Sequence, residues 1–102
     1  MNYKKVFQDA KQILEDGGWI QHNLSTSKGC CMMGAVIASL KRNKPTVDGI
    51  SDMYAVTGLN LLRDTLEEET PNKSRFITEF NDAPNRTKEE VIDIFDKIIA
   101  KL

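Results

Sequence analysis

Apolar positions recur along most of this chain at helical spacing. Tyr3, Val6, Phe7, Ala10, Ile13 and Leu14 follow steps of three and four, so they form one stripe of an amphipathic helix over about Tyr3 to Asp16. Asn2 stands where an N-cap belongs. Gly17 fits a left-handed C-cap, after which Trp19 can fold back onto the last turn. Gly18 to Gly29 reads as a connection, with Trp19-Ile20-Gln21 as a short extended piece and Ser25 to Gly29 as a polar turn. The run from Cys30 to Leu40 is apolar on every side, the pattern of a central buried helix. Its Gly34, Ala35, Ala38 and Ser39 are small and let neighbouring helices approach closely. Lys41-Arg42-Asn43-Lys44-Pro45 ends it, because the residue before a proline disfavours helical geometry.

A third helix is expected over about Ser51 to Glu69, with Ile50, Met53, Tyr54, Leu61, Leu62 and Leu66 on its inner face. Gly58 marks either a break or a close packing contact. Arg63 and Glu67 are spaced to pair across one turn. Glu67, Glu68 and Glu69 oppose the helix dipole, so this end is expected to fray. Phe76, Ile77 and Phe80 fit one turn of helix or a short strand equally well. Thr87-Lys88-Glu89-Glu90 matches a capping box, and Val91, Phe95, Ile98 and Leu102 continue as the stripe of a last helix. The expected fold is all-α or mainly α: four helices packed in one compact domain over residues 1–102, with at most a minor short strand pair.

Charge changes the list of partners. The 14 basic and 15 acidic residues leave a net charge of −1, whereas nucleic-acid binders draw affinity from a basic surplus, so nucleic acid is not an expected partner. Lys41, Arg42 and Lys44 form the one tight basic cluster, at a helix C-terminus where the dipole favours cations. Cys30 and Cys31 are adjacent, so they cannot easily meet disulfide geometry with each other, and the sequence holds no third cysteine. The first residues lack the apolar core of a signal peptide, and no apolar run is long enough to span a membrane. The expected compartment is the reducing cytoplasm.

Several residues could carry chemistry. A cysteine at a helix N-terminus can become a nucleophile, which makes Cys31 and Cys30 candidates, with His22 upstream as base and Asn81 or Asp82 downstream to orient it. Cysteine is also among the most buried residue types, and core packing in a central helix accounts for both. One His and two adjacent Cys lack the paired spacing of a tetrahedral metal site, and Asn81, Asp82, Glu89 and Glu90 match no calcium loop, so neither metal nor cofactor is expected. Ser27 and Lys28, with Gly29, precede the second helix, where free amides could hold an anion; equally, Ser27 could simply cap that helix. The segment Phe80-Asn81-Asp82-Ala83-Pro84-Asn85-Arg86 is denser in polar groups than a connector needs. Asn81 and Asp82 can satisfy neighbouring amides, and Arg86 can pair with Asp82 or reach a ligand.

Three pieces of the chain together carry a resemblance: Gly18-Trp19-x-Gln21, Gly29-x-Cys31-x-x-Gly34-Ala35, and Phe80-Asn81-Asp82 followed by Arg86-Thr87-x-x-Glu90-Val91. They resemble a family of small proteins of unknown function that recurs in actinobacterial and phage genomes. There the last piece commonly has Trp before Asn-Asp, where this chain has Phe80. The resemblance implies a shared helical fold and a phage or mobile-element origin, but no catalytic assignment. If its pieces converge in space, Trp19, Gln21, Cys31, Asn81, Asp82 and Arg86 line one ligand site. Cys31, not Cys30, is the cysteine that matches.

Three functional readings follow. The first is a non-enzymatic protein that binds a small polar or nucleotide-like ligand or a host protein, in the manner of a phage-encoded antagonist of host defence. The second is a thiol enzyme using Cys31 or Cys30 with His22. The third is a structural subunit that forms homo-oligomers through an exposed helix face.

Overall fold

Residues 2–43, 51–70 and 76–102 are described by the computed structural model of the chain. In chain order they form α1 (Tyr3–Gly17), β1 (Ser25–Thr26), β2 (Gly29–Cys30), α2 (Met32–Asn43), α3 (Ser51–Glu69), α4 (Ile77–Asn81) and α5 (Lys88–Lys101). Lys44, Pro45 and Ile50 lie outside the described residues. Four of the helices correspond to the four expected from periodicity. The fifth, α4, is the Phe76–Phe80 segment, which takes the helical option and seats Ile77 and Phe80 in the core.

Local rules account for the ends of α1. Asn2 Oδ1 accepts from the Lys5 amide at 3.1 Å. The cap at the other end is Gly18 rather than Gly17. Gly18 has φ +93, its N–H donates to the Leu14 carbonyl, and its own carbonyl accepts from the Cys30 amide at 3.1 Å. That second bond decides which glycine leaves the helix, since it ties the exit of α1 to β2.

The same pairing delays α2. Cys30 is not helical: its N–H goes to Gly18 and its carbonyl accepts from Ile20 at 3.0 Å. β2 pairs antiparallel with β1, Ser25 opposite Cys30, and Trp19 forms a single parallel bridge to the same residue. The helix starts at Met32, and Ser27 and Lys28 are left on the exposed hairpin turn, a whole strand away from it. Ser27 therefore does not cap α2, and the helix amides expected beside Ser27 and Lys28 are not there.

α3 runs unbroken past Gly58, where a Cβ would meet the Leu40 side chain at 3.2 Å, so this glycine is a packing contact. The helix extends to Glu69, where α5 supplies cations against the acidic last turn: Lys101 donates to Glu68 at 2.7 Å and Lys97 to Glu69 at 2.9 Å. Met53, expected inside, is 70% exposed. The inner stripe instead follows Ala55, Gly58, Leu59, Leu62 and Leu66, and two residues from Ala55 is about 200° around the helix.

The core gathers Val6, Phe7, Ala10 and Leu14 of α1, Met32, Ala35, Val36 and Leu40 of α2, Leu62 and Leu66 of α3, and Val91, Ile94, Phe95 and Ile98 of α5. Phe7 and Phe95 meet in a tilted pair with centroids 6.0 Å apart. Thr87 and Glu90 complete the capping box of α5 in both directions. None of the described helices is long and apolar enough to cross a membrane.

Candidate functional site

The seam between residues 18–31 and α4 turns on one side chain. Asn81 ends α4 and is 1% exposed. Its Oδ1 accepts from Trp19 Nε1 at 2.6 Å and from the Met32 amide at 2.9 Å. Its Nδ2 donates to the Ile20 carbonyl at 3.1 Å and to Asp82 Oδ1 at 2.9 Å. A carboxamide has two donors and two lone pairs, so its hydrogen-bonding capacity is full. One residue thereby joins the extended segment, α4 and the first amide of α2.

The neighbours complete the seam. Gln21 Nε2 donates to the Asn81 carbonyl at 3.1 Å and the Ala83 carbonyl at 3.0 Å. Asp82 Oδ1 accepts from the His22 amide at 2.8 Å. Arg86 does not pair with Asp82. Its Nε donates to the Phe80 carbonyl at 2.8 Å, its guanidinium lies 3.8 Å over the Phe80 ring, and Nη1 reaches Glu90 at 2.9 Å. Cys31 holds the N-cap position of α2, where Sγ accepts from the Gly34 amide at 3.3 Å. The Cys31 amide goes to the Leu24 carbonyl at 3.1 Å.

Electrostatics follow from these contacts. Burial works against the Asp82 carboxylate, but the His22 amide and the Asn81 side chain outweigh it and lower its pKa below the usual carboxylate value. Burial raises the Cys31 pKa, only partly offset by the Gly34 and Met33 amides. In Glu90, the Thr87 amide and the Arg86 pair lower the pKa.

The structure thus brings Trp19, Gln21, Cys31, Asn81 and Asp82 to one seam, and Arg86 joins through the Phe80 carbonyl. Beside it opens a cleft of about 130 Å³ lined by His22, Asn23, Leu24, Cys31, Thr78 and Asp82. His22 is exposed and takes a left-handed backbone, φ 71, which its amide bond to Asp82 holds in place. Its Nδ1 stands 3.9 Å from Asp82 Oδ2. Asn23, Leu24 and Thr78 went unnoticed in the sequence because none belongs to a motif. The available signal was spacing: Thr78 sits one helical turn before Asp82, on the same side of α4. No group of three or more His, Cys, Asp and Glu among the described residues could hold a metal ion.

The model of a family of unknown function, DUF6197, matches residues 1–101. The chain belongs to this family. No curated protein and no solved structure matches it. In this DUF6197 chain the two cysteines differ in setting. Cys31 is 3% exposed, whereas Cys30 is half-buried, with its thiol 3.6 Å from the Ser25 hydroxyl.

Proposed function

We propose that this DUF6197 chain is a small non-enzymatic binding protein that receives a partner at the cleft between His22 and Asp82. One observation carries the reading. The polar groups of the Trp19–Asn81 seam bond to one another, so the seam acts as a scaffold, and what it presents to solvent is the cleft. Function commonly sits on loops held by such a rigid frame.

Size narrows the occupant. Sites for whole small molecules run to roughly 300–1,000 Å³, and this cleft has about 130 Å³. A complete nucleotide exceeds it, and a phosphate would face the Asp82 carboxylate. A group protruding from a host protein fits better, and a phage-encoded antagonist of a host enzyme is the setting suggested by the family resemblance. Thr78→Trp fills the cleft from an exposed position and leaves the seam untouched. The immobilised wild-type chain is expected to retain a protein from host lysate that Thr78→Trp does not retain. Equal retention by both chains, or none by either, overturns the reading.

A second reading rests on the placement of Cys31, His22 and Asp82 in one cleft, the residue types of a thiol nucleophile, base and orienting acid. The state of the thiol weighs against it, since Cys31 is 3% exposed and burial raises its pKa by more than the Gly34 and Met33 amides lower it. Mass-resolved alkylation by iodoacetamide is expected to modify Cys30 first. Cys31 should follow on the order of a hundredfold more slowly, the factor set by a local opening that costs about 3 kcal/mol. A Cys31 that reacts as fast as Cys30 or faster restores the enzyme reading.

A further inference from the structure

The cleft has a definite chemical character. Its lining contains one carboxylate, Asp82, and no Lys or Arg. The two oxygens of that carboxylate differ. Oδ1 accepts from both the His22 amide and Asn81 Nδ2. Oδ2 accepts no hydrogen bond from the described residues, and the His22 ring nitrogen at 3.9 Å is beyond hydrogen-bond reach. A carboxylate oxygen with free lone pairs in a concave site favours a charged donor, because a charge-assisted bond is about twice as strong as a neutral one. The other lining groups suit the same occupant. The Thr78 hydroxyl and the Asn23 amide can accept from a donor with several N–H groups. Leu24, 51% exposed, offers the rim an apolar surface against which a methylene stem can lie. A volume of about 130 Å³ suits a planar head group and little more.

We infer that the cleft receives the cationic head of an arginine or lysine side chain presented by a partner protein, with Asp82 Oδ2 as its counter-ion. This rests on the binding reading above and names the chemistry of the same site. The Asp82 carboxylate is ionised at neutral pH, as an ordinary aspartate is, and its hydrogen bonds lower its pKa further. Anionic occupants, phosphate included, face repulsion there.

The test uses the full chain, isotope-labelled, with backbone amide resonances followed during titration. The probes are Gly-Arg-Gly and Gly-Lys-Gly peptides, the neutral citrulline analogue of the first, free agmatine and inorganic phosphate. Both cationic peptides are expected to move the His22, Asn23, Thr78 and Asp82 amides saturably. Citrulline should bind at least about tenfold more weakly, and phosphate should move none of the four. Asp82→Asn keeps an oxygen for the His22 amide but removes the charge, and should weaken the arginine peptide by a similar factor. Thr78→Asp, at an exposed position, serves if that variant does not fold; it should tighten the arginine peptide several-fold, and Thr78→Lys should abolish its binding. Citrulline binding equal to arginine, a saturable phosphate response, no saturable response to either cationic peptide, or indifference to both charge variants overturns the inference. Agmatine binding more tightly than the arginine peptide assigns the cleft to a free guanidinium compound and overturns the protein source. If a lysate partner is retained through the cleft but ignores Asp82→Asn and high salt, this inference fails and the binding reading stands. If nothing engages the cleft, both fail.

Discussion

Asn81→Ala is expected to cost about 3–5 kcal/mol of folding stability, a large part of the roughly 5–15 kcal/mol that holds an ordinary domain together. The side chain is 1% exposed and makes four hydrogen bonds. Truncation leaves the Trp19 indole N–H, the Met32 amide and the Ile20 carbonyl without their partner. An unsatisfied buried group costs roughly 1–3 kcal/mol, and water can relieve some of this at the half-buried Trp19. Trp19 also makes the measurement simple, as its fluorescence reports on the seam during a urea titration. Asn81→Asp separates shape from bonding. It keeps two acceptors but loses both N–H donors, and brings a carboxylate against the Ile20 carbonyl and Asp82. It is expected to be at least as damaging near neutral pH. A loss below about 1 kcal/mol for Asn81→Ala would mean that the seam is ornamental to the fold.

The same residue shows what a sequence can and cannot disclose. Local features were legible. The capping box Thr87–Glu90, the Asn2 cap and the stripes of α1 and α5 depend on neighbours within one turn. The density of polar groups in Phe80–Arg86 was legible as an oddity, but its purpose was not. Asn81 finds its partners at Trp19, Ile20 and Met32, 49 to 62 positions away, and periodicity carries no such information. Two expectations failed for a related reason. Cys30 joined the apolar run of α2 by composition, yet backbone bonds to Gly18 and Ile20 take it into a strand. Met53 matched an apolar stripe only when the register of α3 was unknown.

The cleft was the least legible part. Two of its walls depend on backbone groups: the Leu24 carbonyl that holds the Cys31 amide, and the His22 amide that holds Asp82. Neither leaves a mark in residue type. His22 drew attention as a base for a thiol, whereas its main-chain N–H makes the hydrogen bond that shapes the site. The density of Asn, Asp and Arg in Phe80–Arg86 has a structural account in the hydrogen bonds of the seam.

Gly34→Ala is the sharpest case of local preference set against packing. In a helix interior alanine is favoured over glycine by about 1 kcal/mol, so propensity alone predicts a more stable chain. Gly34 lies in the first turn of α2, and a Cβ there would stand 2.1 Å from the Leu24 carbonyl oxygen and 2.9 Å from its carbon. Both are backbone atoms, and that carbonyl is fixed by its bond to the Cys31 amide. The clash cannot be relieved by a side-chain rotation; either α2 or the His22–Leu24 segment must move. The expected result is a loss of about 3 kcal/mol, at the upper end of ordinary overpacking, with the amide signals of the cleft displaced. Gly17→Ala is the matched control. It is also helical, and nothing lies within 4 Å of its added Cβ. There propensity is unopposed, and a gain of up to about 1 kcal/mol is expected. Urea midpoints of the two variants should therefore shift in opposite directions. A Gly34→Ala chain as stable as the parent would show that the Leu24 backbone is free to yield, and with it the wall of the cleft.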